Sequence, residues 1–214
     1  MTPPYDAAQA LARQALRVRG PRPPALTPLP PLLALSDPVR TPDLAGLVEA
    51  LPPGSGLIYR HFGAADRLAV AAALAGGCCA RGIMLLVSAD PDLDRLDAVD
   101  GIHWPETWLH HAAAARARGD RRLFTAAAHS PRAVWRARQA GVDAVLVSPV
   151  FPSRSPSAGR PAGIFPAAAL AQTAGLPVYA LGGVNTRTAK RLEGLGFSGI
   201  ACVGAIRSAG PTRT

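Results

Sequence analysis

"VYALGGVNTRTAKRLEGLGFSGIACVGAI", residues 178–206, runs from a short apolar stretch into two glycines, then a polar segment rich in threonine and arginine, then a second apolar stretch that closes on glycine. A buried strand, a glycine turn, a helix and another buried strand satisfy that order, because strands covered on both faces read as continuous apolar runs. The same rhythm repeats along the chain. Strands are predicted at "LLALS" (32–36), "GLIYR" (56–60), "IMLLVS" (83–88), "GIHW" (101–104), "LFTAAA" (123–128), "AVLVSPVF" (144–151), "VYAL" (178–181) and "GIACVGA" (199–205).

Helical segments lie between them at 41–51, 64–82, 106–119, 130–141, 165–175 and 185–196. Thr41-Pro42 and Ser130-Pro131 supply an N-cap residue followed by proline in the first turn, and most of these segments end on glycine. The stretch after "IMLLVS" is too short for a firm helix. Strand followed by helix, eight times over, argues for a parallel sheet with right-handed crossovers that closes into a single (β/α)8 TIM-type barrel. An open doubly wound sheet is the structural rival. Residues 3–19 add an N-terminal helix with Leu11, Ala15 and Val18 near one face, and "GPRPPALTPLPP" (20–31) forbids regular structure. The expected division is a helix and Pro-rich linker over 1–31 and the barrel over 32–214.

Of the 214 residues 49% are apolar and 17% charged, enough for a sizeable core. The formal charge of +9 comes from arginines scattered along the chain, with no basic stripe interleaved with aromatics, which argues against nucleic acid as a partner. Cys78, Cys79 and Cys202 lack metal-ligand spacing and read as buried free thiols. No apolar stretch approaches the roughly 20 residues of a membrane span, so no membrane partner is expected. With no leader-like segment either, the expected location is cytoplasmic.

In such a barrel the side chains at the C-terminal ends of the strands converge on one mouth. Gly182 and Gly183 follow the seventh strand, and Gly204 and Ala205 close the eighth, the address at which barrels of this kind hold phosphate. A helix opening just after Gly183 is expected to aim its amides and its dipole at the same spot. "SPVFPSRSPSAGRPAG" (148–163) then reads as a long mouth loop, with the hydroxyls of Ser153 and Ser155 two residues apart and Arg154 and Arg160 to supply charge. His129 and Arg60 stand at the ends of the fifth and second strands.

"AAAHSPRAVWRARQAGVDAVLVSPVFPSRSPSAGRP" and "LPVYALGGVNTRTAKRLEGLGFSGIACVGAI" resemble the thiamine phosphate synthase and TenI superfamily, most strongly over residues 123–207. The resemblance implies a phosphate-binding barrel acting on the thiazole half of thiamine. The family's synthases join thiazole phosphate to pyrimidine methyl pyrophosphate with Mg2+ and expel pyrophosphate. Ser153, Ser155, Gly183 and Gly204 match the thiazole-phosphate positions.

The pyrophosphate half departs from the pattern. Pro156 stands where the loop lysine is expected, Ser88-Ala89 where an asparagine-aspartate pair is expected, and Trp108 where an aspartate is expected. Asp90 and Glu106 are the nearest substitutes as metal ligands, and Mg2+ is expected if synthase chemistry survives. Arg60 remains in register. Arg60 and His129 beside a phosphate cradle are similar to the TenI branch, in which a histidine could move the proton of a thiazole tautomerisation. A catalytically silent binder of thiazole phosphate or thiamine phosphate is the third reading. A homo-oligomer through the Trp108 region is the expected form of any association.

Overall fold

The computed structural model describes residues 4–19, 29–93, 96–153 and 159–206. Eight parallel strands close on themselves: β1 (Leu32–Leu35), β2 (Gly56–Tyr59), β3 (Met84–Ser88), β4 (Gly101–Trp104), β5 (Leu123–Ala128), β6 (Ala144–Val147), β7 (Val178–Ala180) and β8 (Gly199–Cys202). Closure is made where Leu32 and Ala34 of β1 register with Ile200 and Cys202 of β8. The barrel is thus the fold that the eight apolar runs require, and the open-sheet alternative is excluded. β6 is shorter than its apolar run because Pro149 has no N–H to continue the ladder.

The outer layer consists of α1 (Pro4–Arg19), α2 (Leu44–Ala50), α3 (Arg67–Ala80), α4 (Leu109–Ala117), α5 (Pro131–Gln139), α6 (Ile164–Thr173) and the four-residue α7 (Thr186–Ala189). Asp43 and Ser130 cap α2 and α5 through their side chains, to the N–H groups of Gly46 and Ala133. No helix joins β3 to β4 among the described residues. α1 packs on α7, β8 and β1, burying Ala8, Leu11, Ala15 and Val18. At about 1.5–3 kcal/mol for a fully buried Leu or Val, that stripe holds α1 on the barrel and covers the β8–β1 seam.

Two apolar layers result. Leu33, Leu35, Ile58, Leu86, Leu146 and Tyr179 fill one together with Leu29, while a larger layer lies between strands and helices. The Tyr179 hydroxyl donates to the Pro30 carbonyl, tying the segment before β1 to β7. Arg116 braces the α4–β5–β6 corner: its guanidinium stacks on Phe124 at 3.8 Å, donates to the carbonyls of Gly141, Asp120 and Arg122, and pairs with Asp143. Among the described residues no helix is long and apolar enough to cross a membrane.

Candidate functional site

The strand ends open into a cavity of about 1390 Å³, to which nearly every strand or the loop after it contributes. It gathers Arg60, His129, Ser153, Gly182, Gly183, Gly204 and Ala205 of the sequence-predicted site, together with Arg160. Ser155 and Arg154 lie outside the described residues. Asp90 and Glu106 do not line the cavity.

The loop after β6 is laced onto the end of β7. Val150 N–H donates to Leu181 O at 2.9 Å and Phe151 N–H to Gly182 O at 3.0 Å, and Ala162 N–H closes the loop on Pro149 O at 2.9 Å. This contact explains the glycine pair. A Cβ at Gly182 would lie 2.6 Å from Pro149 Cα, one at Gly183 only 2.4 Å from Pro152 O, and both residues have positive φ (+90° and +67°). Glycine alone lets the two segments touch, and the touch carries Ser153 to the rim. Among the described residues, no acceptor takes the backbone N–H groups of Gly182, Gly183, Gly204 or Ala205. They are donors available to an anion.

The helix after the glycines differs from expectation. α7 has four residues, and Asn185 Oδ1 accepts from the N–H groups of both Arg187 and Thr188 in a capping box that Thr188 completes. Its first amides are therefore spent on its own cap. An anion in the mouth has the glycine amides rather than a helix terminus.

Beside Gly204, across the β8–β1 seam, a charged network fixes the ends of β1 and β2. Arg60 donates from its backbone N–H to Ser36 Oγ and from Nε to Ser36 O, both at 2.7 Å, and from Nη2 to Asp37 Oδ2 at 3.2 Å. Arg40 Nη2 donates to the same oxygen at 2.8 Å. Its hydrogen bond with Arg40 holds the Asp37 carboxyl down at about 2, against an opposing push from burial. Among the described residues, two guanidiniums thus share one carboxylate beside the cavity. Arg40 also stacks its stem over Gly204, whose Cβ would lie 3.2 Å from Arg40 Cβ. Arg40 stands at no strand end, and the Asp37-Pro38 turn that brings it back is the one signal that points to it.

Histidines take different parts. His103, buried on β4 at the cavity wall, bonds Thr125 Oγ1 through Nδ1 at 2.9 Å. Burial, seconded by the charge on Arg60, pushes it down to about 4, so it is neutral at physiological pH. His129 is exposed to the cavity with Nδ1 2.8 Å from the Ser148 carbonyl oxygen. A carbonyl only accepts, so Nδ1 carries the proton and Nε2 of the neutral ring is left as an acceptor. Cys202 lines the floor, and burial pushes its thiol up to about 12, far from a reactive thiolate. Cys78 is buried likewise, whereas Cys79 is exposed, against the sequence expectation, because it falls on the outer side of α3.

The proposed metal ligands are engaged elsewhere. Asp90 accepts from Arg67 Nε at 3.0 Å and lies 3.8 Å from His61 Nε2; Asp92 takes the other arm of Arg67 at 2.6 Å. Glu106 pairs with Arg136 at 2.5 Å. Among the described residues no three His, Cys, Asp or Glu side chains are grouped to hold an ion. Mg2+ needs several hard oxygens around one point, and the carboxylates as arranged do not fit it.

A family model described as thiamine monophosphate synthase (TMP-TENI) matches residues 37–206. The chain belongs to this family. Thiamine biosynthesis is its setting. The chain is 31% identical over 160 residues to the thiamine-phosphate synthase of Synechococcus sp. (strain WH7803), which covers 73% of this chain and 45% of that protein. It is 30% identical over 184 residues to the same enzyme of Synechococcus sp. (strain CC9311), covering 83% and 52%. With the bifunctional ThiM/ThiE protein of Symbiobacterium thermophilum it shares 31% over 201 residues, 91% of this chain and 42% of that one. The chain thus spans about half the length of these curated relatives. Among solved structures, the thiamine phosphate pyrophosphorylase from Pyrococcus furiosus superposes with a TM-score of 0.69 at 20% identity, over 81% of this chain and 85% of that one, a likeness of fold.

Proposed function

We propose that this chain binds thiazole phosphate in the barrel mouth and couples it to pyrimidine methyl pyrophosphate. The observation that carries the reading is the set of amides at Gly182, Gly183, Gly204 and Ala205 that no acceptor takes among the described residues, on the lining of a cavity to which Ser153 and Arg40 also contribute. Backbone N–H groups and a guanidinium suit a phosphate dianion. Ser155 and Arg154 are proposed to complete that cradle.

In the coupling, the thiazole ring nitrogen forms a bond to the pyrimidine methylene carbon as its C–O bond breaks, and pyrophosphate leaves with the electron pair. Charge that builds on the leaving oxygens needs cations placed in advance. With Arg40 assigned to the thiazole phosphate, Arg60, held by Ser36 and Asp37, and Arg160 on the rim are the other arginines lining the cavity. Since the carboxylates do not fit a metal, no step is assigned to one.

A second reading rests on His129. Its Nδ1–H is committed to Ser148 O, which leaves Nε2 to accept a proton from a bound thiazole, as a tautomerase requires.

The deciding experiment incubates the protein with thiazole phosphate and pyrimidine methyl pyrophosphate, with and without Mg2+, and follows thiamine phosphate by mass spectrometry. Product above the protein-free control supports coupling. No product, with thiazole phosphate still binding by calorimetry in the presence of EDTA, rejects coupling and leaves the tautomerase and silent-binder readings. No binding at all rejects the cradle.

A further inference from the structure

On the outside of the barrel, α1 and α7 form a groove of about 430 Å³ whose walls carry Arg13 and Arg17 from α1, Arg187 from α7, and Lys190 just beyond it. We propose that this groove binds a small polyphosphate, a compound with two or three linked phosphates, at a site separate from the mouth.

The charge arrangement is the reason. Arg40, Arg60, Arg67, Arg116, Arg122 and Arg136 each have a carboxylate within 4.0 Å. Among the described residues, none of the four groove cations has one. Arg13 and Arg17 stand four apart on one helix, and Arg187 and Lys190 three apart across the groove, spacings at which like charges repel. Glu193 is the carboxylate close to this edge, and it accepts from the side-chain amide of Gln14, which is only 5% exposed at the groove floor. The carboxylate is therefore used to seat α1 on the barrel and not to neutralise the cations. Four cations without a carboxylate partner among the described residues line one concavity, two on each wall, and an anion that bridges both walls relieves the repulsion. A linked di- or triphosphate offers each wall a phosphate of its own. The volume falls in the range of small-molecule sites, about 300–1,000 Å³.

Inorganic triphosphate, titrated into the full chain by calorimetry at about 0.15 M salt, is the probe, with Arg17→Gln/Lys190→Gln as the groove variant and Ser153→Ala as the mouth variant. The expected result is one binding event weakened about tenfold or more in the groove variant and kept in the mouth variant, while thiazole phosphate affinity is unchanged in the groove variant. All four side chains are exposed, and a thermal melt checks folding; Arg13→Gln/Arg187→Gln is the second variant should the first fail it. Equal triphosphate affinity in wild type and groove variants overturns the site, as does loss in the mouth variant alone. Tighter binding of a single-stranded oligonucleotide than of triphosphate, lost in the same groove variant, also overturns it in favour of a nucleic-acid surface.

Discussion

Arg60 Nη2 donates to Asp37 Oδ2 at 3.2 Å, joining the loops after β1 and β2 at the cavity wall. Because Arg40 hydrogen-bonds the same oxygen, the Asp37 carboxyl falls from an ordinary 3.8 to about 2 in the folded protein. A folded pKa below the unfolded one means stability that is present above the unfolded value and is lost as pH falls through the folded value. The window runs from about pH 4 to pH 2, and the contribution is roughly 2 kcal/mol. Urea denaturation across that window should therefore lose about 2 kcal/mol more in the wild type than in Asp37→Asn. Parallel acid profiles would mean that the three groups do not interact in solution.

His103 supplies a second, separable window. It is buried and stays neutral down to about 4, while in the unfolded chain an imidazole takes up a proton below about 6.5. Between those values the unfolded state binds more protons, so stability is full above pH 6.5 and falls as pH drops to 4, by roughly 3 kcal/mol. In His103→Gln, whose amide can still meet Thr125, that slope should vanish. Persistence of the slope would place its origin at another residue.

All eight strands were legible because a strand covered on both faces reads as a nearly continuous apolar run: Leu57-Ile58 and Leu85-Leu86-Val87 are buried throughout, and the buried polar residues of β4 and β5, His103 and Thr125, bond each other. The helix after β7 was legible in place but not in length: it stops at Ala189 and gives way to a 3₁₀ turn over Lys190–Leu192, with Gly194 and Gly196 at positive φ beyond it. At the site, residues directly after strands could be read because the barrel fixes where strand ends go. Pairings across the fold could not. Nothing local in Asp90 or Glu106 reveals Arg67, 23 positions away, or Arg136, 30 away, which hold those carboxylates out of the mouth. Arg40 was hidden for the same reason, since a turn, not a strand, delivers it to Gly204.

Gly183 and Gly54 both sit at positive φ, +67° and +79°, but only Gly183 has a neighbour in the way: nothing lies within 4 Å of a Cβ at Gly54, against 2.4 Å to Pro152 O at Gly183. Gly54→Ala should cost the left-handed strain alone, about 1–2 kcal/mol. Gly183→Ala adds displacement of the loop after β6, so it should exceed that by about 1 kcal/mol or more and abolish thiazole phosphate binding. Thermal melts of the pair measure the first difference and calorimetry the second. Equal melting losses would show that the loop moves freely away from β7.

The Ser148 carbonyl, at 2.8 Å, sets the tautomer of His129; the Ser148 hydroxyl stands farther from the same Nδ1, at 3.4 Å, and its removal leaves the shorter backbone contact in place. Nitrogen NMR of the neutral ring should find the proton on Nδ1 in the wild type and equally in Ser148→Ala. If Nε2 is the proton acceptor, His129→Ala should lower the interconversion of thiazole phosphate tautomers by about 10²–10⁴-fold while changing thiazole phosphate affinity by less than about threefold, since the glycine amides and Arg40 hold the phosphate. A parallel fall in affinity and turnover would make His129 a binding residue. A proton found on Nε2 would remove the base and, with it, the tautomerase reading.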